Sequence, residues 1–118
     1  MELEPGMIIY YRHTIDESGG KLHHYGLVVS VEGTLAGLIA IRVAYGSSKK
    51  VSVDGHLPHE FVVADARELE ETGLRKPTRF DMRRTLVIMP EDIIEVVGHA
   101  KANKQLLRRL GKAYVASM

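Results

Sequence analysis

Apolar residues come in short runs separated by polar, turn-forming segments, and only the C-terminal segment breaks that rhythm. Pro5-Gly6 marks a turn, and the β-branched and aromatic run MIIYY behind it predicts a strand. HTIDESGGKLHH (13–24) is polar with Gly19-Gly20 near its centre, which predicts a mobile loop or a long hairpin tip. YGLVVSV (25–31), apolar on both faces, predicts a buried strand; GLIAIRV (37–43) and EFVVAD (60–65) predict two more. Between them YGSSKK (45–50) reads as a turn. DARELEETGL (65–74) changes character: its acids and Leu69 suit a short exposed helix stopped at Gly73. RKPTRFDMRRT (75–85) runs into TLVIM (85–89) as a strand, Pro90-Glu91-Asp92 breaks it, and IIEVVGHA (93–100) is a further apolar run. In 103–118 the residues Leu106, Leu107, Leu110, Ala113 and Tyr114 make an amphipathic helical stripe, with Asn103 or a neighbour as its cap. Mainly β with α is therefore the expected class: a small, strongly bent barrel or sheet closed by a C-terminal amphipathic helix.

Composition narrows this picture in a few places. The chain has 118 residues, 13.2 kDa and 45% apolar residues, which suits one domain spanning 1–118 with a modest core. Lys and Arg number 16 against 15 acids, a net charge of +1, so attraction of a polyanion would need a local patch rather than a global field. Cysteine is absent, which excludes disulfides, thiolate chemistry and Cys-ligated metal. The start lacks a secretory leader and no apolar run approaches a membrane span, so the expectation is a soluble, cytoplasmic protein with no membrane partner.

The local patch exists: RKPTRFDMRRT gathers five cations around the single acid Asp81. On a strand, residues i and i+2 share a face. Arg79 and Asp81 then point one way, Phe80 points into the core, and Arg83 joins the row if the strand stays regular. Such a row is either a solvated set of ion pairs, at most about 1 kcal/mol each, or a phosphodiester site. In the latter, arginines hold the phosphate and Asp81 takes a proton. The six histidines form no helical metal pair. His56 and His59 with Asp54 or Glu60 could make a zinc site; solvated loop histidines are the plain alternative. His23-His24 open a strand, so one at most faces a groove. Ser47-Ser48 have no nucleophile context and read either as turn formers or as hydroxyl donors to a phosphate or base.

Taken in order, PGMIIYY, the polar loop 13–24, YGLVVS, IRVAYGSS, TGLRKPTRFDMRRT, the strand with Gly98 and the terminal helix resemble the MazF/PemK (Kid) toxins of type II toxin–antitoxin systems. The best local match aligns Arg79, Asp81, Arg84 and Thr85 with a PemK-type R-x-D-Q-x-R-T segment. The resemblance implies an SH3-like, PemK-type barrel, usually a homodimer, that cuts single-stranded RNA without metal or cofactor. In that reaction the substrate's own 2′-OH attacks the adjacent phosphate and leaves a cyclic phosphate. It implies an antitoxin protein as partner, Asp81 as general base and Arg79 acting on the phosphate. Because arginine stays charged up to pH ~12, charge stabilisation is its expected role. A histidine (His13, His23 or His24) or water would then supply the proton. Ser47 and Ser48 stand where the family's Thr-Ser pair contacts RNA, and Arg75, Lys76, Thr78, Arg83 and Arg84 would complete one wall of the RNA groove. Two positions depart from the family. His24-Tyr25 replaces the usual Arg-Pro, leaving His24 as a substitute acid or phosphate contact, and Met82 replaces the Gln after the Asp. The alternative reading is therefore an inactive barrel that binds nucleic acid or a protein target; a third is a metal hydrolase on His56 and His59.

Overall fold

The computed structural model describes residues 2–14, 21–33, 36–52 and 55–118. Six strands are present: β1 (Met7–Thr14), β2 (Lys21–Gly33), β3 (Ile39–Ser47), β4 (Glu60–Val63), β5 (Thr78–Ile88) and β6 (Ile93–His99). Two α-helices accompany them, α1 (Ala66–Thr72) and α2 (Lys104–Ser117). The strands form one antiparallel sheet in the order β4-β5-β3-β2-β1-β6.

That order forces the sheet to roll. β5 and β6 are four strand spacings apart, about 19 Å across a flat sheet. The chain covers Ile88 to Ile93 in five steps, which reach at most about 17 Å when fully extended. Part of that link, Pro90–Asp92, is a compact 3-10 turn, and it touches both β1 and β3. Rolling gives the sheet two buried faces. One carries Ile8, Leu27, Ala44, Phe61 and Phe80 and is sealed by Leu106 and Ala113 of α2. The other is made by the sheet itself from Ile9, Tyr11, Val28, Ile41, Val43 and Ile88.

The helices are bounded as their sequences dictate. Asp65 caps α1, its carboxylate accepting from the Arg67 and Glu68 N–H groups at 2.9 and 3.3 Å. Gly73 ends it with φ 77°, a left-handed conformation suited to glycine. Asn103 caps α2 by accepting from Gln105 and Leu106. The buried stripe of α2 is narrower than the sequence pattern predicts. Leu106 and Ala113 are buried, but Leu107 and Tyr114 stay 49% and 43% exposed. The charged face is partly structural: Arg109 grips Glu68 of α1 with two hydrogen bonds of 2.7 and 3.0 Å.

Several strand boundaries differ from expectation: β4 stops at Val63 and β5 starts only at Thr78, leaving Arg75 and Lys76 before the strand. β2 begins at Lys21, so His23 and His24 lie inside it. The hairpin partner β1 runs to Thr14, paired with Lys21, while the expected loop or tip around Gly19-Gly20 lies outside the described residues. β3 is displaced to Ile39–Ser47, making Tyr45, Gly46 and Ser47 strand rather than turn. Among the described residues no helix is long and apolar enough to cross a membrane.

Candidate active site

β5 alternates as its sequence implies at its start: Thr78, Phe80 and Met82 are buried, while Arg79 and Asp81 face the other way. Directly paired residues of neighbouring strands share a face. Asp81 pairs with Tyr45 of β3 and Glu60 of β4, and Arg79 pairs with Ser47 of β3. Regularity then fails. Ala44 pairs with Thr85 but Tyr45 with Asp81, so Met82, Arg83 and Arg84 form a bulge. Asp81 braces it, one carboxylate oxygen accepting from the Arg83 N–H at 3.0 Å, and the Met82 N–H donates to the His59 carbonyl at 3.0 Å. The continuous Arg79–Asp81–Arg83 row expected of a regular strand is therefore absent. Arg83 instead donates to the Ala116 carbonyl at the end of α2, and Arg84 sits 4.9 Å over the Tyr45 ring.

Arg79 is fixed at both ends of its guanidinium. Nη1 donates to Glu60 Oε2 at 2.7 Å and Nε to the Lys49 carbonyl at 2.8 Å. Three of its five N–H groups remain for another ligand. Glu60 is 8% exposed and its other oxygen accepts from the Leu57 N–H at 2.8 Å. Burial pushes its carboxyl up, but the Leu57 hydrogen bond and the charges of Arg79 and His59 outweigh this and hold it below the usual carboxylate value. Asp81 has its own partner, His59, with Nε2 at 3.5 Å from Oδ1. The site thus holds an Arg79–Glu60 ion pair and an Asp81–His59 contact, both between β5 and the β4 segment, with Arg79 and Asp81 each about a quarter exposed, 25% and 26%.

Next to this face, and sharing Tyr45 and Ser47 with it, a cleft of about 730 Å³ opens. His24, Ser47, Ser48, Arg75, Lys76 and Thr78 line it, whereas Arg79, Asp81, Arg83 and Arg84 do not. Lys49, Arg75 and Lys76 are exposed around it, and none has an acidic partner among the described residues. Thr78 is buried and its hydroxyl is engaged by the Lys76 carbonyl at 2.8 Å, so it shapes the loop. The Ser47 hydroxyl accepts from the Lys49 N–H at 3.1 Å. His24 packs its ring 4.9 Å from Tyr45 and 6.2 Å from Tyr11. Burial, with His13 and His23 close by, lowers its pKa and keeps it neutral at pH 7.

His59 and Glu60 were legible only as possible metal ligands. They face Asp81 and Arg79 instead; Asp54, the other suggested ligand, lies outside the described residues. Among the described residues no three potential ligands gather in one place. What placed His59 and Glu60 in the site is the β4–β5 register, a long-range pairing with no local signal. Tyr10, Tyr25 and Glu95, which also line the cleft, were missed for the same reason.

A scan against protein-family models finds no match, and a search of curated proteins finds none either. Solved structures do match. The Mycobacterium tuberculosis toxin MazF-mt6 superposes with a TM-score of 0.59 at 18% identity, covering 92% of this chain and 94% of that one. A structure described as an Mtb toxin gives 0.57 at 20% identity, covering 80% and 92%. An endoribonuclease solved with its cognate antitoxin, from a mycobacterial species, gives 0.62 at 9% identity, covering 98% and 94%. The chain has the MazF toxin fold. At such low identity the MazF fold is held here by a largely different set of side chains, so roles rest on this chain's own geometry rather than on residue correspondence.

Proposed function

We propose that this chain is a toxin-type endoribonuclease that cuts single-stranded RNA, with Arg79 and Asp81 at the reacting phosphodiester. The observation that carries the reading is the placement of these two side chains on one face, Arg79 held by Glu60 and Asp81 beside His59, with each still partly open to solvent. The MazF fold, shared with a structure described as an endoribonuclease, supports it.

In this reading Asp81 accepts the proton of a ribose 2′-OH as that oxygen bonds to phosphorus. The bond from phosphorus to the 5′-oxygen breaks, and that oxygen leaves with a proton. The products are a 2′,3′-cyclic phosphate and a 5′-OH. Arg79 directs its uncommitted N–H groups at the phosphate oxygens, where charge builds in the transition state; because Glu60 and Lys49 already fix it, little reorganisation is needed. His59 is positioned to take the proton from Asp81 or return one to the leaving oxygen. His24, being neutral, is a poor acid at pH 7, and the reading gives it a packing and contact role. Lys49, Ser48, Arg75 and Lys76 hold flanking phosphates. An antitoxin protein is the proposed inhibitor, its acidic groups matched to those same cations. A homodimer acting in the cytoplasm, each protomer a single domain over 1–118, completes the proposal.

Incubating the purified protein with single-stranded RNA in excess EDTA tests it. Expected are fragments ending in 2′,3′-cyclic phosphate and beginning with 5′-OH. Intact RNA, or fragments with 5′-phosphate, would contradict it; RNA bound but never cut would favour a non-enzymatic barrel.

A further inference from the structure

We infer that the cleft beside Arg79 and Asp81 is a base-recognition subsite that selects guanine, with Glu95 as the acceptor and Tyr10, Tyr25 and His23 as the stacking surface. It rests on the proposed function only in taking RNA as the source of the base.

The register assembles this surface. Glu95 of β6 pairs directly with Tyr10 of β1, and Tyr10 pairs with Tyr25 of β2. The three side chains therefore stand in one row on one face. Tyr10 lies 5.2 Å from Tyr25 and 5.5 Å edge-on from His23, ring centroid to ring centroid. On β3 the neighbouring position is Gly46, where a Cβ would fall 2.6 Å from the Tyr25 carbonyl oxygen and 2.8 Å from Phe80. Gly46 therefore has no room for a side chain, the Tyr25 backbone and the Phe80 ring already filling that space, and Tyr10, His23, Tyr25, Gly46 and Glu95 line the same cleft. Its volume, about 730 Å³, suits a nucleotide.

The chemistry decides which base. Aromatic rings accept any base by stacking. Glu95 does not: an exposed carboxylate in a cleft ringed by Lys49, Arg75 and Lys76, it makes no hydrogen bond or ion pair among the described residues. A carboxylate near phosphates is unfavourable unless it accepts hydrogen bonds, and an ionised carboxylate only accepts. Guanine presents two adjacent donors, N1–H and the N2 amino group, that match its two oxygens. Adenine and cytosine set one amino group beside an acceptor nitrogen, and uracil sets one N–H between two carbonyls. Only guanine makes the pair of bonds without placing a lone pair against the carboxylate.

The test uses the full chain and short, uncleavable 2′-O-methyl oligouridylates carrying a single guanine, inosine, adenine or cytosine, with binding followed by fluorescence anisotropy of an end label. The guanine oligomer should bind about tenfold or more tighter than the inosine one, which lacks the N2 amino group. Glu95→Gln should erase that preference while the all-uridine oligomer binds at least as tightly as before. Equal affinity for all four oligomers, no binding at all, or a guanine preference that survives Glu95→Gln would overturn the inference. Guanine-selective binding by a protein that cuts no RNA would sink the proposed reaction alone. Cutting without base preference would sink the subsite alone.

Discussion

Arg79 and Glu60 illustrate how single residues set the site. A buried carboxylate is costly unless paired, and Glu60 is paired with a cation whose remaining donors stay free. The i, i+2 spacing made the shared face of Arg79 and Asp81 legible in the sequence, because it depends only on strand alternation. Arg83 was misplaced by the same rule, since nothing local announces the bulge that Asp81 braces. Two groups here make stability depend on pH. The folded state lowers the His24 pKa below its ordinary 6.5, so its stabilising contribution is full above that value and shrinks as pH falls beneath it. Glu60 is also lowered, from an ordinary 4.5, so its contribution is full above 4.5 and is lost as pH falls through the folded value. The thermal midpoint should fall in two stages on acidification, and His24→Gln should remove the first. A His24→Gln profile superimposable on wild type through the upper stage would contradict this.

Elements were easier to recognise than to bound. The caps Asp65 and Asn103 and the stop at Gly73 act within a turn of chain, so both helices were legible nearly to the residue. β3 was not, because Tyr45-Gly46-Ser47 looks like a turn. Gly46 is instead where β3 passes too close to Tyr25 and Phe80 for a side chain. Likewise β2 starts two residues ahead of His23-His24, the pair expected to open it, since Lys21 beside a polar segment gives no apolar signal. Gly111 is the contrasting glycine. It lies exposed inside α2, and a methyl group added there would meet nothing within 4 Å. Gly111→Ala should raise stability by about 0.5–1 kcal/mol, whereas Gly46→Ala should lower it; denaturant titration measures both. Destabilisation by Gly111→Ala would mean that α2 is not the regular helix described.

Over the whole molecule, rolling the sheet joins segments far apart in sequence. β4 and the residue before it bring Glu60 and His59 to β5, β3 adds Tyr45 and Ser47, and β6 and β1 place Glu95 and Tyr10 at the cleft. No periodicity encodes those pairings, which is why the barrel class could be read from the succession of strands and the composition of its site could not. A net charge of +1 conceals the same organisation. Arg42, Arg67, Arg79, Lys101 and Arg109 are neutralised by acids, while among the described residues the cations around the cleft are not. In the proposed reaction Asp81 acts as the base within this assembly. The most direct measurement is the cleavage rate of one single-stranded RNA by wild type and by Asp81→Asn, with folding of both verified by circular dichroism. Loss of a general base should slow cleavage by about 10²–10⁴-fold while the fold is retained; a folded Asp81→Asn protein that cuts within about threefold of the wild-type rate would contradict the assignment.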